Sequence, residues 1–146
     1  MNNRPPATEP HAADETTIFS LLRAAHALED KLEQTLSEVG LSSAKFSVLS
    51  ELAKAGEPLP LSELAARLSC VRSNMTQLVD RLEADGFVQR VACPNDRRSV
   101  KAALTPEGTR RRNAGAHAVA RLQAEFSGKL SAGDRAALAR TLGVLG

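Results

Sequence analysis

Residues 61–104 hold the pattern that most restricts what this chain can fold into. Apolar side chains at helical spacing predict a short helix over 63–68, with Ser62 as its N-cap. After a break of three or four residues, the same spacing predicts a second helix over about 72–85. Gly86 then ends that helix. Two helices, the first of them short, joined by a tight turn indicate a helix-turn-helix.

The next residues make this interpretation specific, because short helix pairs also occur as plain core packing. Phe87–Val91 alternates apolar and polar side chains, as a half-buried strand does. Cys93–Arg98 is rich in turn residues and carries two arginines, and Ser99–Leu104 is suited to return as the partner strand. A basic hairpin directly after a helix-turn-helix is a wing.

Two helices are predicted before this unit. Leucines and other apolar residues recur every three or four positions over 15–39, and Gly40 follows where a left-handed C-cap is common. A helix over 43–54 comes next. The loop 56–60 cannot be helical, since it contains two prolines.

Two helices are also predicted after it. Thr105 is a suitable N-cap with Pro106 in the first helical position, and that helix extends to about Lys129. Ser131, with Asp134 three residues later, resembles a capping box and begins a last helix that ends near Leu142. The fold class is therefore mainly α with a small β-hairpin wing. We expect a disordered tail over 1–13 and one domain over 14–146.

Charge is distributed unevenly along the 146 residues, although the net charge is only +2. Residues 1–66 contain five Lys/Arg and ten Asp/Glu, whereas residues 67–112 contain ten Lys/Arg and five Asp/Glu. Positive charge concentrated in the helix-turn-helix segment favours a polyanionic partner. Uneven charge alone also fits an ordinary solvated surface, so the motif must carry the argument.

Other features exclude several classes of protein. No apolar run approaches the roughly 18 residues of a membrane span, and the polar N-terminus lacks the apolar stretch of a signal peptide. The two cysteines do not form a secreted disulfide framework. We therefore expect a cytoplasmic protein without membrane contact.

No chemistry-bearing cluster indicates an enzyme or a cofactor. The three histidines, His11, His26 and His117, have no carboxylates or thiols at ligand spacing, so we expect no metal. Neither a phosphate-binding glycine loop nor a nucleophile elbow is present.

At this point the residues resemble a known family, that of the MarR transcriptional regulators. The order and spacing match over about 15–145, and the resemblance rests on four segments: Leu61–Leu68, Arg72–Val88, the Pro-Asn-Asp-Arg-Arg of Pro94–Arg98, and Leu104–Gly108. An Asp-Arg-Arg wing tip after a Leu-Val-Asp-Arg-Leu-Glu helix is far more specific than either piece alone.

The resemblance implies a winged helix-turn-helix over about 43–104 and a homodimer formed by helices 15–39 and 106–145. It also implies a repressor on a near-palindromic operator in double-stranded DNA, with a small-molecule pocket between the dimerisation and DNA-binding parts. An aromatic or organic acid is the effector we expect. The apolar stripes of the outer helices fit this picture, because they exceed what one small winged domain can cover.

The predicted second helix supplies candidate DNA contacts. Short polar groups near its N-terminus suit base edges and phosphates in the major groove, and an arginine there can reach a phosphate or a guanine. The alternative is a solvated helix face. The candidates are Arg72, Ser73, Asn74, Thr76 and Gln77.

The wing supplies the others. The family's roles imply that Asp96 shapes the hairpin tip and that Arg98 enters the minor groove, where negative potential is enhanced. Arg97 is then a phosphate contact and Lys101 adds charge near the backbone. Asp80 would be repelled by phosphate, so we expect it to orient a neighbouring arginine. A solvated hairpin is the alternative.

The chain departs from the family pattern at Val71, where a small capping residue is usual, so Ser69 or Ser73 must supply the cap or the helix begins loosely. Cys93 stands in the wing and is expected to be exposed, which leaves a redox role open. Cys70 is most simply a small buried apolar residue. The alternatives are therefore a regulator switched by cysteine oxidation, one without effector, or a winged-helix module for protein–protein contacts.

Overall fold

The computed structural model describes residues 12–145, apart from the side chains of residues 12–16, 97 and 98. Most of the predicted tail, residues 1–11, therefore lies outside the described residues. The chain divides into two units between Lys31 and Leu32. The elements of the described chain are α1 (Ala12–Ser37), α2 (Ser43–Ala55), β1 (Leu59–Pro60), α3 (Leu61–Arg67), α4 (Arg72–Ala84), β2 (Val88–Cys93), β3 (Asp96–Leu104), α5 (Pro106–Gly128) and α6 (Ala132–Leu145).

Several predicted helix ends are confirmed. Gly40 and Gly56 have φ angles of 72° and 69°, the left-handed conformation in which glycine avoids a steric penalty. Thr105 caps α5, because its Oγ1 accepts a hydrogen bond from Gly108 N at 3.0 Å.

The capping box at the start of α6 is confirmed as well. Asp134 N donates to Ser131 Oγ at 3.1 Å, and Ser131 N donates to Asp134 Oδ2 at 3.0 Å. Ser131 Oγ also donates to the same carboxylate at 2.6 Å. These hydrogen bonds hold the pKa of Asp134 below its ordinary value, the Ser131 hydroxyl having the largest effect.

The predicted cap of α3 is wrong. The helix begins at Leu61, and Ser62 therefore lies inside its first turn. Pro60 occupies the N-cap position with an extended backbone (φ −59°, ψ 143°) and no side-chain hydrogen bond. Because the proline ring already fixes the φ angle that this position needs, the helix begins two residues earlier than it would with Ser62 as the cap.

The sheet has three antiparallel strands in the order β1-β3-β2, one more than the sequence predicts. The hairpin pairs Val88 with Leu104 at its base, and the register is interrupted between Ala92 and Cys93 near its tip. The additional strand β1 is only two residues long and lies in the segment that was expected to be a plain loop. Its edge position tolerates Pro60, which cannot donate to a neighbouring strand.

A single buried cluster connects α2, α3, α4 and the sheet. α4 contributes Met75, Val79 and Leu82, all of which are at most 1% exposed, as its apolar spacing predicts. α5 approaches the start of the hairpin closely at Gly108. A Cβ at that position would lie 1.8 Å from the backbone oxygen of Phe87, so only glycine fits.

The first and last helices, α1 and α6, carry exposed apolar side chains. On α1, Ile18, Phe19 and Leu22 are 64%, 67% and 48% exposed. On α6, Leu142 and Leu145 are 47% and 64% exposed. No residue of α6 is buried. Within the described residues 12–145, no helix meets the length and apolarity that a membrane span requires.

Candidate DNA interface

One face of α4 is exposed and carries polar side chains that the sequence singles out. The opposite face is buried in the core, and that burial fixes which side of the helix points outward. Thr76 Oγ1 donates to the backbone oxygen of Arg72 at 3.1 Å, within the helix. Ser73 and Gln77 lie on this face, and the candidates Arg72, Asn74 and Thr76 are exposed to its sides.

α4 begins without a side-chain cap. Val71 occupies the N-cap position with an extended backbone (φ −67°, ψ 139°), and neither Ser69 nor Ser73 caps the helix. Ser69 instead adopts a left-handed conformation (φ 49°) in the turn between α3 and α4. Lack of a cap typically costs a helix about 1 kcal/mol. The first amide groups of α4 therefore receive no side-chain acceptor.

The wing is formed by β2 and β3, with Pro94 and Asn95 in the turn at its tip. Asp96 begins β3 opposite Cys93, next to that turn, as a residue that shapes the tip should. Lys101 is half-buried on the central strand β3, opposite Val91 and Pro60, and so lies well away from the tip. Arg97 and Arg98 belong to the same strand, but their side chains lie outside the described residues.

A groove of about 390 Å³ separates α4 from the wing. The structure thus brings three of the predicted residues together, since Arg72 and Thr76 face Asp96 across it. Its other lining residues were not predicted: Pro60, Leu61, Ser62, Ser99 and Val100.

Arg90 joins α4 to the wing. Its guanidinium on β2 donates to Asp80 and to Glu83, both on α4, and its backbone N donates to Glu83 Oε1 at 3.1 Å. These contacts, that to Asp80 above all, hold the pKa of Arg90 above its ordinary value. The expectation that Asp80 orients an arginine is therefore confirmed. We call these three residues the α4–wing clamp.

Arg111 makes a second connection that sequence reasoning missed. From α5, its Nη1 donates to the backbone oxygen of Val39 at 2.9 Å, in the turn between α1 and α2. Its guanidinium also lies over the ring of Phe87, 5.3 Å from the centroid, just before β2. In the sequence, Arg111 is the middle one of three consecutive arginines, and local spacing gives no signal that separates it from its neighbours.

The cysteines are both free thiols in half-buried positions. Cys70 packs against the edge of the core, which agrees with its interpretation as a small apolar residue. Cys93 was expected to be exposed, but its place at the end of β2, opposite β3, covers part of it. In the described part of the chain, no group of three or more His, Cys, Asp or Glu side chains could hold a metal ion.

An exposed polar helix beside a basic hairpin, both mounted on one core, defines a winged helix-turn-helix, a DNA-binding fold. Comparisons with known proteins agree. The family model described as "MarR family" matches residues 41–100. A mutant MarR from E. coli, solved in complex with operator DNA, is 26% identical and covers 94% of this chain and 99% of its own, with a TM-score of 0.76.

Curated relatives give the same result. The HTH-type transcriptional regulator PecS of Dickeya dadantii is 33% identical over 93 residues, 62% of this chain and 56% of PecS. The HTH-type transcriptional repressor YetL of Bacillus subtilis is 34% identical over 95 residues, 64% of this chain and 57% of YetL. The chain thus spans little more than half the length of these relatives.

Residues 41–100 match the MarR family model, and the relatives and solved structure named above support a MarR family transcriptional regulator, as the sequence motifs predict. The relatives named above are regulators and not enzymes. This agrees with the expectation of a non-catalytic protein.

Proposed function

We propose that this protein is a cytoplasmic repressor that binds a near-palindromic operator as a homodimer. The exposed polar surface of α4 carries the proposal, because five exposed candidate contacts occupy its first two turns, and Ser73 and Gln77 lie opposite the buried residues. In this arrangement α4 enters the major groove with its N-terminal residues at the base edges, and the wing follows the adjacent minor groove. Repression is supported by the similarity to YetL, a transcriptional repressor of Bacillus subtilis.

The wing contributes contacts of two kinds in this proposal. Arg98 enters the minor groove, whereas Arg97 and Lys101 neutralise phosphates. Asp96 positions the tip from which the two arginines extend. Arg72 lies across the groove from that tip and is suited to a phosphate or a guanine on the same stretch of duplex.

Dimerisation would cover the exposed apolar side chains of α1 and α6. Side chains such as Phe19 and Leu145 are about two-thirds exposed in the single chain. Apolar surface of this extent is unusual on a monomer and is typical of a subunit interface. A dimer also matches an operator with twofold symmetry.

Two exposed glutamines, one on α4 and one on α5, test whether α4 contacts DNA. Fragments recovered from genomic DNA by binding to the protein supply the operator, and fluorescence anisotropy measures the affinity. Gln77→Ala should weaken operator binding by about 1–3 kcal/mol, the usual cost of losing a base contact. Gln123→Ala, on the exposed surface of α5, should not change it. Equal affinities for both variants would contradict the assignment of α4.

Release by a small organic acid is the proposed switch. A cavity of about 390 Å³ lies beside the turn after α1 and is lined by Glu38, Val39, Ala114 and three charged residues of α5. Its volume suits a small ligand. Arg110 pairs with Glu107 at 2.7 Å there and holds the pKa of that carboxyl below its ordinary value. An acidic effector would compete with Glu107 for the arginine.

A titration of the protein–operator complex with phenolic acids tests this switch. Release is expected, with Arg110→Gln shifting the midpoint to higher ligand concentration and Arg121→Gln, elsewhere on α5, leaving it in place. Release by peroxide alone, abolished in Cys93→Ser, would replace the ligand with cysteine oxidation. No response to either would indicate a regulator without effector.

A further inference from the structure

Val71 is an exposed apolar side chain at the very start of α4. It is 66% exposed and occupies the N-cap position, directly before Arg72. Among the described residues of α3, α4 and the turn between them (61–84), it is the one exposed large apolar side chain. Nothing in the capping of the helix accounts for it, because valine cannot accept a hydrogen bond.

The exposure of Val71 is built into a rigid turn. Just before it, Cys70 N donates to the backbone oxygen of Ala65 at 2.8 Å. Just after it, Met75 N donates to the backbone oxygen of Val71 itself at 3.0 Å. These bonds fix the backbone on both sides, and a β-branched side chain has little χ1 freedom. The isopropyl group is therefore held exposed at the N-terminal end of α4, directly before the residues proposed to meet DNA.

The surroundings of Val71 restrict what it can bind. The next three residues, Arg72, Ser73 and Asn74, are exposed and polar. A lone valine among polar groups is too small for a protein-docking patch, which requires several hundred Å² of contiguous apolar surface. In the major groove, however, the C5-methyl of thymine is an apolar group that a single small side chain can contact.

We propose that Val71 reads the methyl group of one thymine in each operator half-site, an inference that rests on the proposed DNA-binding function. The contact excludes water from two apolar groups and distinguishes thymine from cytosine, whose C5 position carries no methyl. Val71 is thus a specificity-determining residue, whereas its neighbours Arg72 and Ser73 supply polar contacts.

Uracil substitution isolates this contact, since uracil pairs like thymine but lacks the methyl group. Each thymine of the selected operator is replaced singly, and affinity is measured by fluorescence anisotropy. Wild type should lose about three- to fivefold at one thymine per half-site, the worth of burying one methyl group. Val71→Ala should bind the original operator more weakly by a similar factor and be indifferent to uracil at that position.

The matched control is Val71→Ile, which keeps a β-branched apolar side chain at the same position and should keep the wild-type uracil penalty. Circular dichroism melts of both variants check that they are folded. If Val71→Ala keeps the full uracil penalty at every thymine, or weakens all DNA sequences equally, the proposal is wrong although DNA binding stands. If the wild-type protein selects no operator at all, the proposed DNA-binding function and the proposed role of Val71 are both wrong.

Discussion

At the scale of single residues, side chains with similar chemistry have separate tasks in the proposed interface. Arg90 is committed to two carboxylates of α4 and stabilises the structure that presents the DNA contacts. Arg72, in contrast, is exposed and lines the groove between α4 and the wing. For Arg97 and Arg98 in the wing, the proposed DNA contacts follow from the family motif.

The two wing arginines should differ in their effects. Arg98→Ala should weaken operator binding by about 1–3 kcal/mol and relax sequence preference, because it removes a groove contact. Arg97→Ala should cost affinity nearly equally on all sequences and reduce the slope of log K against log salt by about one. Anisotropy titrations across salt concentrations separate the two effects. If both variants bind the operator with wild-type affinity, the wing is not part of the DNA interface.

Gly108 is the residue at which the fold is least tolerant of a side chain. Gly108→Ala should destabilise the protein by about 1–3 kcal/mol or more, since the new methyl group would overlap the backbone of Phe87. Thermal unfolding followed by circular dichroism measures the loss. Gly128→Ala, at the other end of α5, has no atom within 4 Å of the new Cβ and should leave stability nearly unchanged or slightly raise it. Equal melting temperatures would contradict the close approach.

At the scale of elements, the position of the wing depends on the α4–wing clamp. Asp80 and Glu83 are both partly exposed, so the stability that this ion pair contributes is modest. Its importance lies in geometry, because the clamp links the DNA-reading helix to the strand that leads into the wing. The operator contacts α4 and the wing at the same time. Loss of the α4–wing clamp should therefore reduce operator affinity more than it reduces the free energy of unfolding.

Neutralising Asp80 tests whether the α4–wing clamp affects DNA binding by positioning the wing or by its negative charge. Asp80→Asn removes a negative charge close to the proposed interface, and simple repulsion predicts tighter DNA binding. We expect the opposite, a several-fold weaker affinity for the operator, because Arg90 loses one of its two carboxylate partners. Titrations of wild type, Asp80→Asn and Arg90→Gln provide the comparison. Tighter binding by Asp80→Asn would show that the clamp does not position the wing.

The elements that sequence reasoning identified are those whose signals are local. Helical spacing predicts α4, alternation predicts the hairpin, and Thr105 and Ser131 mark helix starts because a cap is read within four residues. The strand β1 was missed, since its existence depends on pairing with residues about forty positions away. The partner of Asp80 and the role of Arg111 also depend on tertiary contacts, which no local pattern specifies.

At the scale of the whole molecule, the proposed repressor consists of two copies of the chain. Light scattering should give a mass of about twice the 15.5 kDa of the chain at micromolar concentration. Replacing exposed apolar residues of α6, for example Leu142→Glu, should shift the protein toward monomer and weaken operator binding together. A wild-type mass near that of one chain would contradict the proposed assembly.

Selection of bound fragments from a random DNA library, followed by sequencing, directly tests whether the protein recognises a twofold-symmetric operator. We expect an inverted repeat whose half-sites lie about 10 base pairs apart, centre to centre, or a multiple of that distance, so that two α4 helices meet successive major grooves. Variants of the α4 face should shift the consensus at the positions that they contact. Absence of any enriched sequence, or a single asymmetric site, would contradict binding of a near-palindromic operator by a homodimer.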